Sequence, residues 1–192
     1  TSFANPDGSY SISYTAQNPG KYDLKVFLGD REIGKSPYHL RIVPKSDTQR
    51  CKLKEEIVSS EQVYVKNLQF VVDAFLKPCR SLAATGSKKV TMQDVDLIFC
   101  NMETLLELHI NLLKELEERL QDWPIMDLGD IVLRAAPYYS VYLDYVNNYL
   151  VACKHIQALA TKSKEFQSIL SDAAQKSEEK RDLSSFLIMP VQ

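Results

Sequence analysis

The side chains most able to do chemistry in this chain are sparse and badly spaced for it. Three histidines, His39, His109 and His155, fall in three separate segments with no metal-ligand spacing, and no H-E-x-x-H occurs. Each is expected to be solvated or hydrogen-bonded in a structural role. Cys51, Cys79, Cys100 and Cys153 include no C-x-x-C pair and are expected to be reduced thiols rather than a disulfide framework. The glycine loops that cradle phosphates and the G-x-S-x-G turn that presents a nucleophilic serine are absent. Lys114-Glu115-Leu116-Glu117-Glu118-Arg119 reads as a solvated helix face. Tyr138, Tyr139, Tyr142, Tyr145 and Tyr149 step by three and four, which points first to packing on one helix face and second to a docking surface. Covalent chemistry therefore has no carrier, and no cofactor or metal is expected.

Composition narrows the class further. Of 192 residues, 45% are apolar and 25% charged, as in an ordinary globular protein. A chain of this length buries roughly 70% of the surface its unfolded form exposes, enough for a core without staples. Lys and Arg number 23 against 25 Asp and Glu, so the chain lacks the basic footprint of a nucleic-acid binder. No apolar run reaches the roughly 18 residues of a membrane span. The opening Thr1-Ser2-Phe3 is neither an initiator methionine nor a signal peptide, and reads as a cut inside a longer protein.

The elements that position these residues fall into two parts. Four of six glycines and four of eight prolines lie within the first 44 residues. There Tyr10, Ile12 and Tyr14, then Tyr22, Leu24, Val26 and Leu28, then Tyr38, Leu40 and Ile42 recur with period two, which predicts three strands. Asn18-Pro19-Gly20 and Gly29 through Gly34 separate them as turns. Three amphipathic strands cannot cover their own apolar face. Either the remainder of a sandwich lies upstream or the helical part covers it. Asp7-Gly8-Ser9-Tyr10-Ser11-Ile12-Ser13-Tyr14, Pro19-Gly20-Lys21-Tyr22 and Gly34-Lys35-Ser36-Pro37-Tyr38 resemble the last strands of a filamin-type immunoglobulin-like repeat. That resemblance puts Tyr22 at the place of a corner tyrosine.

From Asp47 the period changes. Leu53, Ile57, Tyr64, Leu68, Val71 and Phe75 form one stripe on a long helix expected to stop near Pro78 and Gly86. Thr91 with Asp94 reads as a capping box opening a helical run through Leu97, Leu105, Leu112 and Leu120 to a break at Trp123-Pro124. A short helix from about Leu128 to Pro137 follows, then helices from about Tyr138 to Leu159 and from Lys162 to Ala174. A last apolar start falls at Leu183. The fold class expected is mainly α, an elongated helical bundle preceded by a partial β-sandwich.

Within the helices, Glu55 through Leu68, with Glu61-Gln62-Val63-Tyr64-Val65-Lys66-Asn67-Leu68 at its centre, resembles the first block of Dbl-homology domains. Phe75-Leu76-Lys77-Pro78 is similar to that block's end, Ile98 through His109 to the next block, and Leu183 through Gln192 to the opening of the third. The resemblance implies a guanine nucleotide exchange factor for a small GTPase of the Rho, Rac or Cdc42 type. Such a protein holds the nucleotide-free GTPase more tightly than the nucleotide-bound form, and makes or breaks no covalent bond. It implies domain limits of 1–44 for the strands, 45–50 for a linker and 51–192 for the helical domain. It also implies a switch-contacting role for Glu56 and GTPase contacts for Met189 and Gln192; Glu61, by its place nearer the stripe, is expected to orient the helix.

At 100° per residue Glu56 lies about 80° from the centre of the stripe, bordering the core. The family pattern continues past Gln192 into a basic helix and a pleckstrin-homology domain, which this sequence does not include. Filamin-type repeats imply partners and a cytoplasmic location at the actin cytoskeleton. The competing class is a catalytically silent helical scaffold binding partners through its tyrosines. A membrane-curving module is disfavoured, because residues 45–192 carry 18 basic against 21 acidic side chains.

Overall fold

The computed structural model describes residues 2–42, 48–121 and 127–192. The expected break at Trp123-Pro124 and most of the expected linker lie outside the described residues. The chain divides into two compact units, Thr1–Glu55 with Leu120–Met126, and Glu56–Arg119 with Asp127–Gln192.

Among the described residues the first unit holds six short strands in three antiparallel pairs. β1 (Ser2–Ala4) pairs with β2 (Tyr10–Ile12), β3 (Gly20–Leu24) with β6 (Tyr38–Ile42), and β4 (Phe27–Leu28) with β5 (Arg31–Glu32). The expected middle strand is therefore two. It breaks after Leu24, where the Val26 amide donates to Ser36 Oγ at 3.0 Å rather than to a neighbouring strand. Phe27 then enters a two-residue hairpin in which Leu28 faces Arg31, and Gly29 supplies the left-handed φ of 61° the turn needs. Arg31 and Glu32, expected in a turn, are strand for the same reason. In β3 and β6 the register puts Tyr22 opposite Leu40 and Leu24 opposite Tyr38, so the period-two pattern holds. Tyr22 donates its hydroxyl to the Asn18 carbonyl at 2.8 Å, the local bond of a corner tyrosine. The apolar residues stay largely open: Tyr10 is 72%, Leu28 72% and Phe27 53% exposed.

Helix α1 (Thr48–Val71) opens inside the stretch expected as linker, at residue 48. It also does not stop at Pro78. A π-turn (Val72–Leu76) joins it to α2 (Lys77–Ala84). The Lys77 amide reaches back to the Val72 carbonyl, so Pro78 enters at the start of a new helical segment, where its missing N–H costs little. Burial of Val72, Phe75 and Leu76 holds this path together. Gly86, at φ 77°, follows the end of α2.

Helix α3 (Met92–Phe99) opens with the expected capping box. Asp94 N–H donates to Thr91 Oγ1 at 3.2 Å, and Thr91 N–H donates to Asp94 Oδ2 at 2.7 Å. The run expected to continue unbroken is interrupted at Cys100, whose φ is 48°. Helix α4 (Met102–Gln121) then begins, with the Asn101 side-chain amide on the Val141 carbonyl at 2.7 Å. α5 (Gly129–Ala135) leads through a 3-10 turn (Ala136–Ser140) into α6 (Val141–Lys162). α7 (Lys164–Lys176), α8 (Leu183–Leu187) and a terminal 3-10 turn (Met189–Val191) complete the order.

One core serves the helical unit. Leu68, Phe75, Phe99, Met102, Leu105 and Phe166 are all essentially fully buried in it. Each such side chain contributes about 1.5–3 kcal/mol relative to exposure. α3 packs on α6, and α2 packs on both α3 and α7. All four cysteines are free; Cys79 is buried, which pushes its thiol up to about 12. No helix among the described residues is long and apolar enough to cross a membrane.

Candidate functional site

The first half of α1 presents different residues inward than the simple stripe predicts. Leu53 and Ile57 are 52% and 48% exposed, whereas Val58 is buried. The inward line runs Val58, Glu61, Tyr64, Leu68, Val71 and Phe75, close to a seven-residue repeat. From Glu61 the line steps back to Val58 rather than to Ile57, about 100° further round the helix. This shift turns Glu56 further outward than its expected place beside the core. Val58 lies about 200° round the helix from Glu56, so the glutamate points to solvent. It is exposed and makes no side-chain hydrogen bond or ion pair among the described residues. Ser60 and Val63, about 40° and 20° away, extend the same exposed strip.

The inner face of the same turns is fixed by buried polar contacts. Glu61 Oε1 lies 2.5 Å from His109 Nδ1 of α4, with only 15% and 7% of the two side chains exposed. His109 Nε2 lies 2.5 Å from the Tyr142 hydroxyl of α6, and that hydroxyl lies 3.0 Å from the Tyr64 hydroxyl of α1. Gln62 donates to Glu117 of α4 at 2.7 Å. Burial, followed by the bond to Tyr142, drives the Tyr64 hydroxyl far above the ordinary phenol range. Tyr142 and Tyr139 are also raised, first by burial, with the Glu61 charge adding to it. Both phenols are neutral donors at any physiological pH. Glu61 of α1 is held against α4 through its contact with His109.

Met189 and Gln192 share the terminal turn. Asp182 caps α8 through the Ser185 amide at 2.9 Å, and Arg181 lies over the Phe186 ring at 5.1 Å. Tyr145 donates to the Leu187 carbonyl at 2.9 Å, tying the segment to α6. Pro190 is buried, Met189 is half-buried against the core, and Gln192 is exposed. No hydrogen bond or ion pair joins either residue to Glu56.

The histidines are all hydrogen-bonded, His39 to Asp23 at 2.7 Å and His155 to Asp94 at 2.6 Å. The connection from Glu61 through His109 to Tyr142 was not expected. Its signal in the sequence is a histidine in the apolar row Met102, Leu105, Leu106, Leu112 and Leu116 of α4. The tyrosine run is mostly packing: Tyr145 is buried, Tyr139, Tyr142 and Tyr149 are partly buried, and Tyr138 is 66% exposed.

Residues 53–192 match the RhoGEF domain family, and residues 4–39 match the Filamin/ABP280 repeat. Rac guanine nucleotide exchange factor JJ of Dictyostelium discoideum is 29% identical over 151 residues, covering 78% of this chain and 13% of that protein. Rac guanine nucleotide exchange factor B of the same organism is 29% identical over 191 residues, covering 84% of this chain and 16% of that protein. The chain thus spans less than a fifth of the length of these relatives. Among solved structures, an activated truncation of Vav1 superposes with a TM-score of 0.68 at 28% identity, covering 74% of this chain and 35% of that one. With a family match over 140 of its 192 residues, the chain belongs to the RhoGEF domain family.

Proposed function

We propose that this chain contributes the exchange module of a protein that accelerates GDP release from a Rho-family small GTPase. The observation that carries the reading is Glu56: a solvent-facing carboxylate without a side-chain partner among the described residues, on a helix whose inner face is locked to two others. Such a group is free to accept a hydrogen bond from a partner and costs little reorganisation when it does so. Glu56 accepts from the first switch of the GTPase, while Gln192 and Met189 form a second contact zone. Catalysis is by tighter binding of the nucleotide-free state, without covalent chemistry.

The organisation that accompanies this reading is a strand segment over 1–44, a linker over 45–50 whose last three residues already open α1, and the helical domain over 51–192. The filamin-type segment supports a location in the cytoplasm at the actin cytoskeleton. The scaffold alternative loses support from the tyrosines, since packing consumes most of the face it would use.

The test is release of a fluorescent GDP analogue from a panel of Rho, Rac and Cdc42-type GTPases, by the full-length protein with and without Glu56→Ala. Rac-type GTPases come first, because the two relatives are named for Rac. Loss of a charge-assisted hydrogen bond of about 1.5–3 kcal/mol predicts a fall of about ten- to hundred-fold. No acceleration from any member of the panel overturns the reading.

A further inference from the structure

The buried chain of polar groups behind Glu56 has a proton arrangement in which every contact pairs a donor with an acceptor. An ionised Glu61 only accepts, so the 2.5 Å contact requires His109 Nδ1 to carry a proton and donate it. With a neutral imidazole, Nε2 accepts from the Tyr142 hydroxyl, whose oxygen in turn accepts from Tyr64. Every contact is then a donor facing an acceptor, and the direction runs one way from Tyr64 to Glu61. Tyr139, whose ring centroid lies 6.3 Å from that of His109, closes the remaining side. The edge of Tyr64 packs against His109 at 4.7 Å between centroids.

This chain crosses three helices within a single turn of α1. Glu61 and Tyr64 belong to α1, His109 to α4 and Tyr142 to α6. Gln62, between the two α1 members, is also held by α4 through Glu117. Glu56 is five residues before Glu61, about 7.5 Å along the axis and about 140° round it. The outer strip and the inner chain are thus opposite sides of the same stretch of helix. An apolar core would resist pulling the helices apart but would tolerate a small rotation or slide, because packing is not directional. Hydrogen bonds that weaken steeply with angle do not tolerate it.

We propose that Glu61, His109 and Tyr142 are positioning residues for exchange: their directional hydrogen-bond chain fixes the rotation of α1 and so aims Glu56 at the GTPase. The inference rests on the exchange reading and names residues that do not themselves touch the partner. It explains why a histidine occupies a place in an apolar helix row where leucine would bury more apolar surface.

The chemistry supplies a discriminating substitution. Glutamine at position 109 still offers an amide N–H to Glu61 and a carbonyl to Tyr142, whereas leucine fills the space and offers neither. In saturation kinetics of GDP release with the full-length protein, His109→Leu is expected to lower the maximal rate about ten-fold or more. The GTPase concentration at half-saturation changes much less, because misplacement acts on the transition-like state. His109→Gln restores most of the rate. Tyr142→Phe, which keeps the ring and removes only the hydroxyl, falls in the same direction and serves where His109→Leu does not fold.

Equal loss in His109→Gln and His109→Leu, or wild-type rates in both His109→Leu and Tyr142→Phe, overturns the proposal. Glu56→Ala in the same series separates the two claims. If it alone loses activity, exchange stands and positioning fails. If wild type accelerates no GTPase, the exchange reading itself fails and takes the positioning role with it.

Discussion

Tyr10 and Leu28 in the strands are each 72% exposed, whereas Phe75 and Phe166 in the helices are fully buried, although all four sit on apolar faces of regular elements. The difference is one of cover. Each strand has one hydrogen-bonded neighbour, and two-stranded pieces cannot enclose a side chain. The helices enclose a continuous cluster from Leu68 to Leu187. Periodicity reports which face is apolar and says nothing about what lies over it. Rigid presentation of Glu56 therefore depends on the helical unit, where packing and buried polar contacts coincide.

The contrast can be broken most directly by truncation in both regions. Phe75→Ala is expected to cost about 3–5 kcal/mol of unfolding free energy, measured by urea denaturation. Ile12→Ala, at a residue 52% exposed, is expected to stay within about 0.5 kcal/mol. Similar losses at the two sites would mean that the strand face is covered in solution and that the contrast is false.

A matched pair of tyrosines sharpens it. Tyr145→Phe removes a buried hydroxyl and strands the Leu187 carbonyl, which predicts a loss of about 1–3 kcal/mol. Tyr22→Phe removes an equally local bond to Asn18, but at a side chain open to water, and is expected to cost less than about 1 kcal/mol. A larger cost at Tyr22 in the same denaturation experiment would mark a corner tyrosine working inside a closed sandwich.

The smallest effect concerns acid. Burial acts to raise the Asp94 carboxyl, but the Thr91 hydroxyl and amide and His155 outweigh it, so Asp94 sits below its ordinary value. A carboxyl depressed on folding stabilises above its unfolded value of about 3.9 and loses that contribution as pH falls through the folded value. Unfolding followed from neutral pH downward should show stability declining through this range, with a shallower decline in Asp94→Asn. An unchanged decline would remove Asp94 from the acid response.

Much of this was legible from residues alone. The spacing of Thr91 and Asp94 gave the start of α3, and the corner bond of Tyr22 was reached through resemblance to filamin-type repeats. The continuation through Pro78 was not legible, because proline reads locally as a stop and the π-turn that admits it depends on burying Val72, Phe75 and Leu76. The break at Cys100 was hidden too, since cysteine carries no preference for the left-handed region it occupies. Glu56 was found through resemblance to a family; its full outward turn follows from the burial of Val58 on the opposite side of the helix. The partners of Glu61 could not be read, because His109 is 48 residues away and Tyr142 a further 33, and only the fold brings them together.

The central claim is that the outer strip of α1 recognises a GTPase emptied of nucleotide. Affinity of the full-length protein for the responding GTPase, measured nucleotide-free and GDP-bound, with wild type and Glu56→Ala side by side, tests it most directly. Wild type is expected to prefer the nucleotide-free form clearly, and Glu56→Ala to weaken binding of that form by about ten-fold or more. Equal affinity for both forms, or a Glu56→Ala protein that keeps the full preference, would contradict it.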